Sequence, residues 1–70
     1  MAQDQKTRAS DPALAALQKN IRKEMNEWAD TVATGGCPTM EEYRRMTGII
    51  EGFAMAERML LDLDNTLTQD

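Results

Sequence analysis

The sequence contains no histidine, one cysteine and only three aromatic residues, and these shortages exclude several kinds of chemistry. Zinc sites are built mainly from histidine and cysteine, and a catalytic thiol needs a neighbouring base, so neither is expected here. Cys37 has no second cysteine with which to form a disulfide, and we interpret it as a small residue in a tight turn. We therefore predict that the chain is not an enzyme and binds no cofactor or metal.

Long apolar runs are also missing. The most apolar segment, residues 46–63, is interrupted by Glu51, Glu57, Arg58 and Asp62, whereas a membrane-spanning helix needs about 20 mostly apolar residues. The N-terminal stretch MAQDQKTRAS lacks the apolar core of a secretory signal. We expect no membrane contact and a cytoplasmic protein with a reduced thiol.

Positive charge is scarce and unevenly placed. The net charge is −4, but residues 1–23 carry five basic and two acidic side chains (net +3), whereas residues 24–70 carry three basic and ten acidic ones (net −7). Direct binding to nucleic acid requires a concentrated basic surface, so we do not expect it. The basic start and the acidic end could instead attract each other, within one chain or between chains.

The first helical pattern follows a start signal at Asp11 and Pro12. Aspartate can cap the free backbone N–H groups of a helix, and proline fits the first helical position. Apolar residues then recur at spacings of three and four, which predicts a helix from about residue 12 to about 33. They are Leu14, Leu17, Ile21, Met25, Trp28 and Val32. The loop at residues 35–38, Gly-Gly-Cys-Pro, ends this helix.

A second helical pattern begins with a capping box at residues 39–42, with Thr39 as N-cap and Glu42 reaching back. It predicts a helix from about residue 40 to about 66. So short a connection makes the two helices antiparallel neighbours. The predicted fold is an all-α helical hairpin, a single domain of residues 10–70 that follows a flexible N-terminal arm of residues 1–9.

A hairpin of this size buries little surface, so we expect oligomerisation or docking on a larger protein to complete it. The apolar arc of the second helix is roughly 200° wide, and one partner helix covers only about 100° of it. Its acidic residues, Glu57 included, are interpreted as solvated or as helix caps. The predicted interface residues are Gly48, Ile50, Gly52, Phe53, Met55, Ala56, Met59, Leu60 and Leu63.

Gly48, Gly52 and Ala56 follow one another at intervals of four and form a smooth groove that another helix backbone can approach closely. Two occupants fit this groove, namely the first helix of the same chain or a second molecule. The sequence leaves both open.

An antiparallel register in which facing residue numbers sum to about 72 places Trp28 near Tyr43 and the basic run at residues 19–23 near Glu51. The two aromatic residues then belong either to the hairpin core or to a partner contact. The two arginines that follow Tyr43 are expected to pair with acids of the same hairpin or to contact a phosphate or an acidic partner. The candidate acids are Glu24 and Glu27, or Glu41 and Glu42. The candidates for further partner contacts are Trp28, Tyr43, Arg44 and Arg45.

The segment of residues 42–63, EYRRMTGIIEGFAMAERMLLDL, resembles a pattern of small proteins of tailed bacteriophages. The matching positions are Glu42, Tyr43, Arg44, Gly48, Ile50, Gly52, Ala56, Asp62 and Leu63, and the Gly-Cys loop before them is similar as well. The resemblance covers about a third of the chain. It implies a short helical hairpin that belongs to a virion or its assembly, and it implies no catalytic residues.

We therefore predict a non-enzymatic structural or assembly protein, a virion component that associates through the apolar face of its second helix. Its partner would be another copy of itself, a larger virion protein, or both, and it would occupy the host cytoplasm before assembly. The alternative is a small acidic regulatory protein that binds and inhibits a host or phage enzyme.

Overall fold

The computed structural model describes residues 8–68, which form two α-helices joined by a short loop. Helix α1 spans Pro12–Ala33 and helix α2 spans Met40–Thr68. This confirms the predicted all-α hairpin, although α2 continues slightly beyond its predicted end. The predicted arm lies outside the described residues except for Arg8 and Ala9.

Helix α1 begins as predicted, with an aspartate cap followed by proline. The Asp11 carboxylate accepts hydrogen bonds from the backbone N–H groups of Ala13 (2.9 Å) and Leu14 (3.1 Å). Pro12 occupies the first turn, where a backbone N–H is not needed. Neighbouring residues therefore meet the hydrogen-bonding needs of the backbone N–H groups at this end of the helix.

Two glycines end α1 and turn the chain. Gly35 has a φ of +84°, a left-handed conformation that glycine adopts without a steric penalty. The N–H of Gly36 then donates to the carbonyl oxygen of Thr31 at 2.8 Å. A Cβ on Gly36 would lie 2.5 Å from the Thr31 methyl carbon, so glycine is required for this close approach.

Helix α2 starts at the predicted cap. The Thr39 hydroxyl accepts a hydrogen bond from the N–H of Glu42 at 3.1 Å, which confirms Thr39 as the N-cap. Just before it, the Cys37 thiol donates to the Met46 sulfur at 3.1 Å, and Met46 is buried. This contact packs the loop against the second turn of α2.

The core between the two helices is small. Its buried apolar residues are Ala9, Met46 and Leu60, and no large side chain in the described range is completely withdrawn from solvent. The radius of gyration is 14.4 Å, whereas a compact chain of this length has about 11 Å. The hairpin is therefore elongated, and much of its surface is not covered by any other residue of the described range 8–68.

Contacts across the hairpin give a register slightly different from the predicted one. Gln18 contacts Glu57, and Ser10 contacts Asp64, so facing residue numbers sum to about 75. Within the basic run that was expected near Glu51, Arg22 pairs with Glu57.

Ala9 is buried, although the sequence assigns it to a flexible arm. Its backbone N–H donates to Gln18 Oε1 at 2.8 Å. The chain is therefore held against the hairpin from Ala9 onward.

Candidate protein-binding surface

One side of α2, which we call the inner face, is turned toward α1. It consists of Met46, Phe53, Glu57, Leu60 and Asp64, all of them buried apart from the half-buried Phe53. At about 100° per residue these positions share one side of the helix. Leu60, a predicted interface residue, is thus part of the packing within the hairpin.

A charged carboxylate lies in the middle of the inner face. Glu57 is only 8% exposed, and its Oε2 accepts hydrogen bonds from Gln18 Nε2 at 2.9 Å and from Arg22 Nε. The Arg22–Glu57 ion pair is the one present among residues 8–68. A carboxylate withdrawn from water needs such partners, because losing its hydration is costly. The interpretation of Glu57 as a solvated or capping residue is therefore wrong.

Burial and hydrogen bonding act in opposite directions on the pKa of Glu57. Burial raises the pKa, since it penalises the charged carboxylate. The hydrogen bonds from Gln18 and Arg22, together with the positive charge of Arg22, outweigh burial and hold the pKa below its usual value of 4.5. Glu57 is therefore ionised at neutral pH.

A second buried carboxylate joins the two ends of the hairpin. The Asp64 oxygens accept hydrogen bonds from the backbone N–H groups of Ser10 (2.9 Å) and Asp11 (2.8 Å). Hydrogen bonds to an ionised acceptor are stronger than neutral ones. Asp64 therefore ties the start of α1 to the C-terminal half of α2.

Another side of α2, which we call the outer face, is apolar but exposed to solvent. It consists of Gly48, Gly52, Met55, Met59 and Leu63, which lie roughly 130° around the helix from the inner face. Met55 is 66% exposed, Met59 71% and Leu63 48%. Helix α1 leaves this stripe uncovered.

The two glycines of the outer face are open. Apart from the adjoining backbone of α2 itself, a Cβ built on Gly48 or on Gly52 would meet no described atom within 4 Å. The groove that runs from these glycines to Ala56 is thus not filled by α1. Of the two occupants that the sequence left open, the first helix is excluded.

The remaining predicted contact residues are spread around the hairpin. Ile50, Phe53, Ala56 and Trp28 are half-buried, and Tyr43, Arg44 and Arg45 are exposed. Of these, Ala56 and Arg45 border the outer face on one side, and Arg44 borders it on the other. The two arginines form no ion pair within the described part of the chain, so their predicted pairing with acids of the hairpin is wrong.

Chemistry-bearing groups are few in the described residues. No three acidic or cysteine side chains among residues 8–68 are placed to hold a metal ion. No helix in this range combines the length and apolar character needed to cross a bilayer.

Comparison of the chain with protein-family models, curated proteins and solved structures returned no match. The class of protein is therefore defined by the fold and the surface alone, as an all-α helical hairpin with an exposed apolar face on α2.

Sequence reasoning missed the polar residues between the helices, although a signal was present. Glu57 lies in the same helical stripe as Phe53 and Leu60, so it interrupts an apolar face rather than a polar one. On the facing helix, Gln18 and Arg22 are four residues apart and so share one side. A carboxylate in one apolar stripe opposite an amide and a guanidinium in the other is a signature of a buried polar cluster.

Proposed function

We propose that this chain is a non-enzymatic structural or assembly protein that binds another protein through the outer face of α2. The observation that carries the proposal is the exposure of Met55, Met59 and Leu63 beside two open glycines. A continuous apolar stripe in water is unfavourable for a free monomer and commonly marks a contact surface.

The small core of the hairpin supports the need for a partner. Full burial of a methionine or leucine side chain contributes about 1.5–3 kcal/mol. Met55, Met59 and Leu63 are from 48% to 71% exposed, so covering each of them would add about 1–2 kcal/mol. For a chain of 70 residues, such a gain is a large part of the total stability.

The shape of the outer face favours another helix as the bound element. Gly48 and Gly52 leave the helix backbone uncovered and so allow close approach. Met55 and Met59 are unbranched and adaptable, so they can fill the irregular space beside an incoming helix.

The buried acids support the non-enzymatic part of the proposal. Among residues 8–68, Glu57 and Asp64 are the buried carboxylates, and both accept hydrogen bonds from groups of the hairpin itself. The two carboxylates therefore stabilise the packing of the hairpin and the alignment of its two helices.

The setting that we propose is the assembly of a phage virion. Its support is the resemblance of residues 42–63 to small proteins of tailed bacteriophages. The chain would be made in the host cytoplasm and then incorporated into a particle.

Sedimentation of phage particles from cells in which this chain is produced during infection tests this function. Wild-type chain should sediment with the particles, and Met59→Glu, which places a charge in the outer face, should remain in the supernatant as a folded helical protein. Ala16→Glu is the matched control, because it adds the same residue at an exposed position of α1 and should leave incorporation unchanged. A wild-type chain that stays soluble, or a Met59→Glu chain that is incorporated normally, would contradict the proposal. Recovery in a soluble complex with one inhibited enzyme would indicate the regulatory alternative.

A further inference from the structure

One edge of the outer face carries four exposed charges of alternating sign. In chain order they are Arg44, Glu51, Arg58 and Asp62. At about 100° per residue they lie within roughly 40° of one another around the helix axis. None of them belongs to an ion pair within residues 8–68, so their charges are available to a partner.

We propose that the outer face binds a second copy of this chain, with the two α2 helices antiparallel. This inference rests on the proposed function and names the partner. In such a pair, a two-fold axis perpendicular to the helices brings each edge of α2 against the same edge of its partner in reversed order. An edge that reads positive, negative, positive, negative is then complementary to itself.

The pairing follows directly from the residue positions. Arg44 faces the partner's Asp62, and Glu51 faces the partner's Arg58. In an antiparallel pair, the numbers of facing residues have a constant sum. The sums of the two pairs are almost equal, so one alignment of the helices along their axes allows both contacts. The symmetry generates each contact twice, which gives four ion pairs along one side of the interface.

The apolar residues fit in that register as well. Gly48 lies opposite the partner's Met59, and Gly52 lies opposite the partner's Met55 and Ala56. Small residues thus face large ones, and the empty space above each glycine receives a methionine side chain. Because of the two-fold symmetry, methionine side chains occupy the space above both glycines in each of the two copies.

A parallel arrangement is disfavoured by the other edge of the outer face. There the residues are Ile49, Ala56 and Leu67, together with one charged residue, Arg45, near the start of the helix. A parallel pair would bring the charged edge of one helix, which carries four charges, against this mainly apolar edge of the other. Exposed ion pairs contribute little affinity, but they select the orientation and the register of paired helices.

Charge exchange between the two paired positions tests the inference. Glu51→Arg places an arginine opposite the partner's Arg58, and Arg58→Glu places a glutamate opposite the partner's Glu51. Each single variant should therefore self-associate roughly tenfold more weakly than wild type in sedimentation experiments at low salt. An equimolar mixture of the two variants should recover wild-type affinity, because every contact in the mixed pair joins opposite charges.

Matched controls are available on the water-facing side of α1. Glu27→Arg and Lys23→Glu change the net charge by the same amounts at exposed positions and should leave self-association unchanged. A wild-type chain that is monomeric at all concentrations, or a mixture that associates no better than its components, would overturn the antiparallel pair. If that monomer still enters particles through Met59, only the choice of partner is wrong. If it also fails to enter them, the proposed function is wrong too.

Discussion

Gln18 and Glu57 are joined across the hairpin by a hydrogen bond of 2.9 Å, and both side chains are buried. Together with Arg22 they form a polar cluster at a position where two packed helices normally bury apolar side chains. Any slip of the register would leave the Glu57 carboxylate away from water without its partners, which is strongly unfavourable. The inner face of α2 therefore specifies how the hairpin pairs, and the outer face remains free for another molecule.

The first prediction concerns the pH dependence of folding. The pKa of Glu57 is lower in the hairpin than its usual value of 4.5, so folding favours the ionised form. Its contribution to stability is complete above about pH 4.5 and is lost as the pH falls through the lower, folded-state pKa. Glu57→Gln should cost about 1–3 kcal/mol at pH 7.

Urea unfolding of dilute wild-type and Glu57→Gln chains between pH 7 and pH 2.5 is the measurement. The stability difference between the two chains should shrink toward low pH, because wild-type Glu57 becomes protonated there. A difference that stays constant over this range would mean that Glu57 is not an ionised partner of Arg22.

The second prediction concerns the tie between the ends of the hairpin. Asp64→Asn replaces one accepting oxygen by an N–H₂ group that faces a backbone N–H donor. We expect the free energy of unfolding, measured by thermal denaturation, to fall by about 1–3 kcal/mol. Asp30→Asn is the control, since Asp30 is exposed near the C-terminus of α1 and its neutralisation should have little effect or stabilise slightly. Equal effects of the two changes would refute the role of Asp64.

The third prediction separates two kinds of glycine. The methyl group added by Gly48→Ala or Gly52→Ala would meet nothing within 4 Å beyond the adjoining backbone of α2. Each change should therefore stabilise the monomeric hairpin by about 1 kcal/mol through helix propensity. The same changes should weaken self-association, because they fill the space between the paired helices. Gly35→Ala should instead destabilise the monomer by about 1–2 kcal/mol, since φ is +84° there. Melting temperatures and sedimentation of the same samples measure both effects, and a destabilised Gly52→Ala monomer would contradict the open groove.

The fourth prediction concerns the loop contact. Met46 is buried, and Met46→Ala should cost about 2–3 kcal/mol, whereas Met40→Ala at an exposed position should cost less than about 0.5 kcal/mol. Cys37→Ser should cost less than about 1 kcal/mol, because the half-buried thiol only packs against the Met46 sulfur. Chemical denaturation measures all three, and a Cys37→Ser loss as large as that of Met46→Ala would assign the thiol a larger role.

Local signals in the sequence were sufficient to predict where the two helices begin and where α1 ends. Asp11, Pro12 and Thr39 act through hydrogen bonds and dihedral angles set within a few residues, and glycine permits the left-handed turn after α1 whatever the tertiary context. Such features can be derived from sequence because their partners are local.

The division of α2 into two faces could not be derived in the same way. Its apolar arc is broad, so periodicity alone does not say which part of the arc faces α1. The decision depends on long-range hydrogen bonds such as Ser10 to Asp64 and Gln18 to Glu57, whose donors and acceptors are far apart in the sequence. These contacts turn the Glu57 side inward and leave Gly48 and Gly52 outward.

The central claim is that Met55 and Met59 are covered by another protein in the assembled state. Limited oxidation by hydrogen peroxide, read by peptide mass spectrometry, tests it directly on the native chain. Met40, which is 62% exposed and lies off the outer face, reports full reactivity, and Met46 reports a buried methionine. In the assembled protein, Met55 and Met59 should oxidise as slowly as Met46, and dilution to the monomer should restore a rate close to that of Met40. Oxidation of Met55 and Met59 at the rate of Met40 in the assembled protein would contradict the claim.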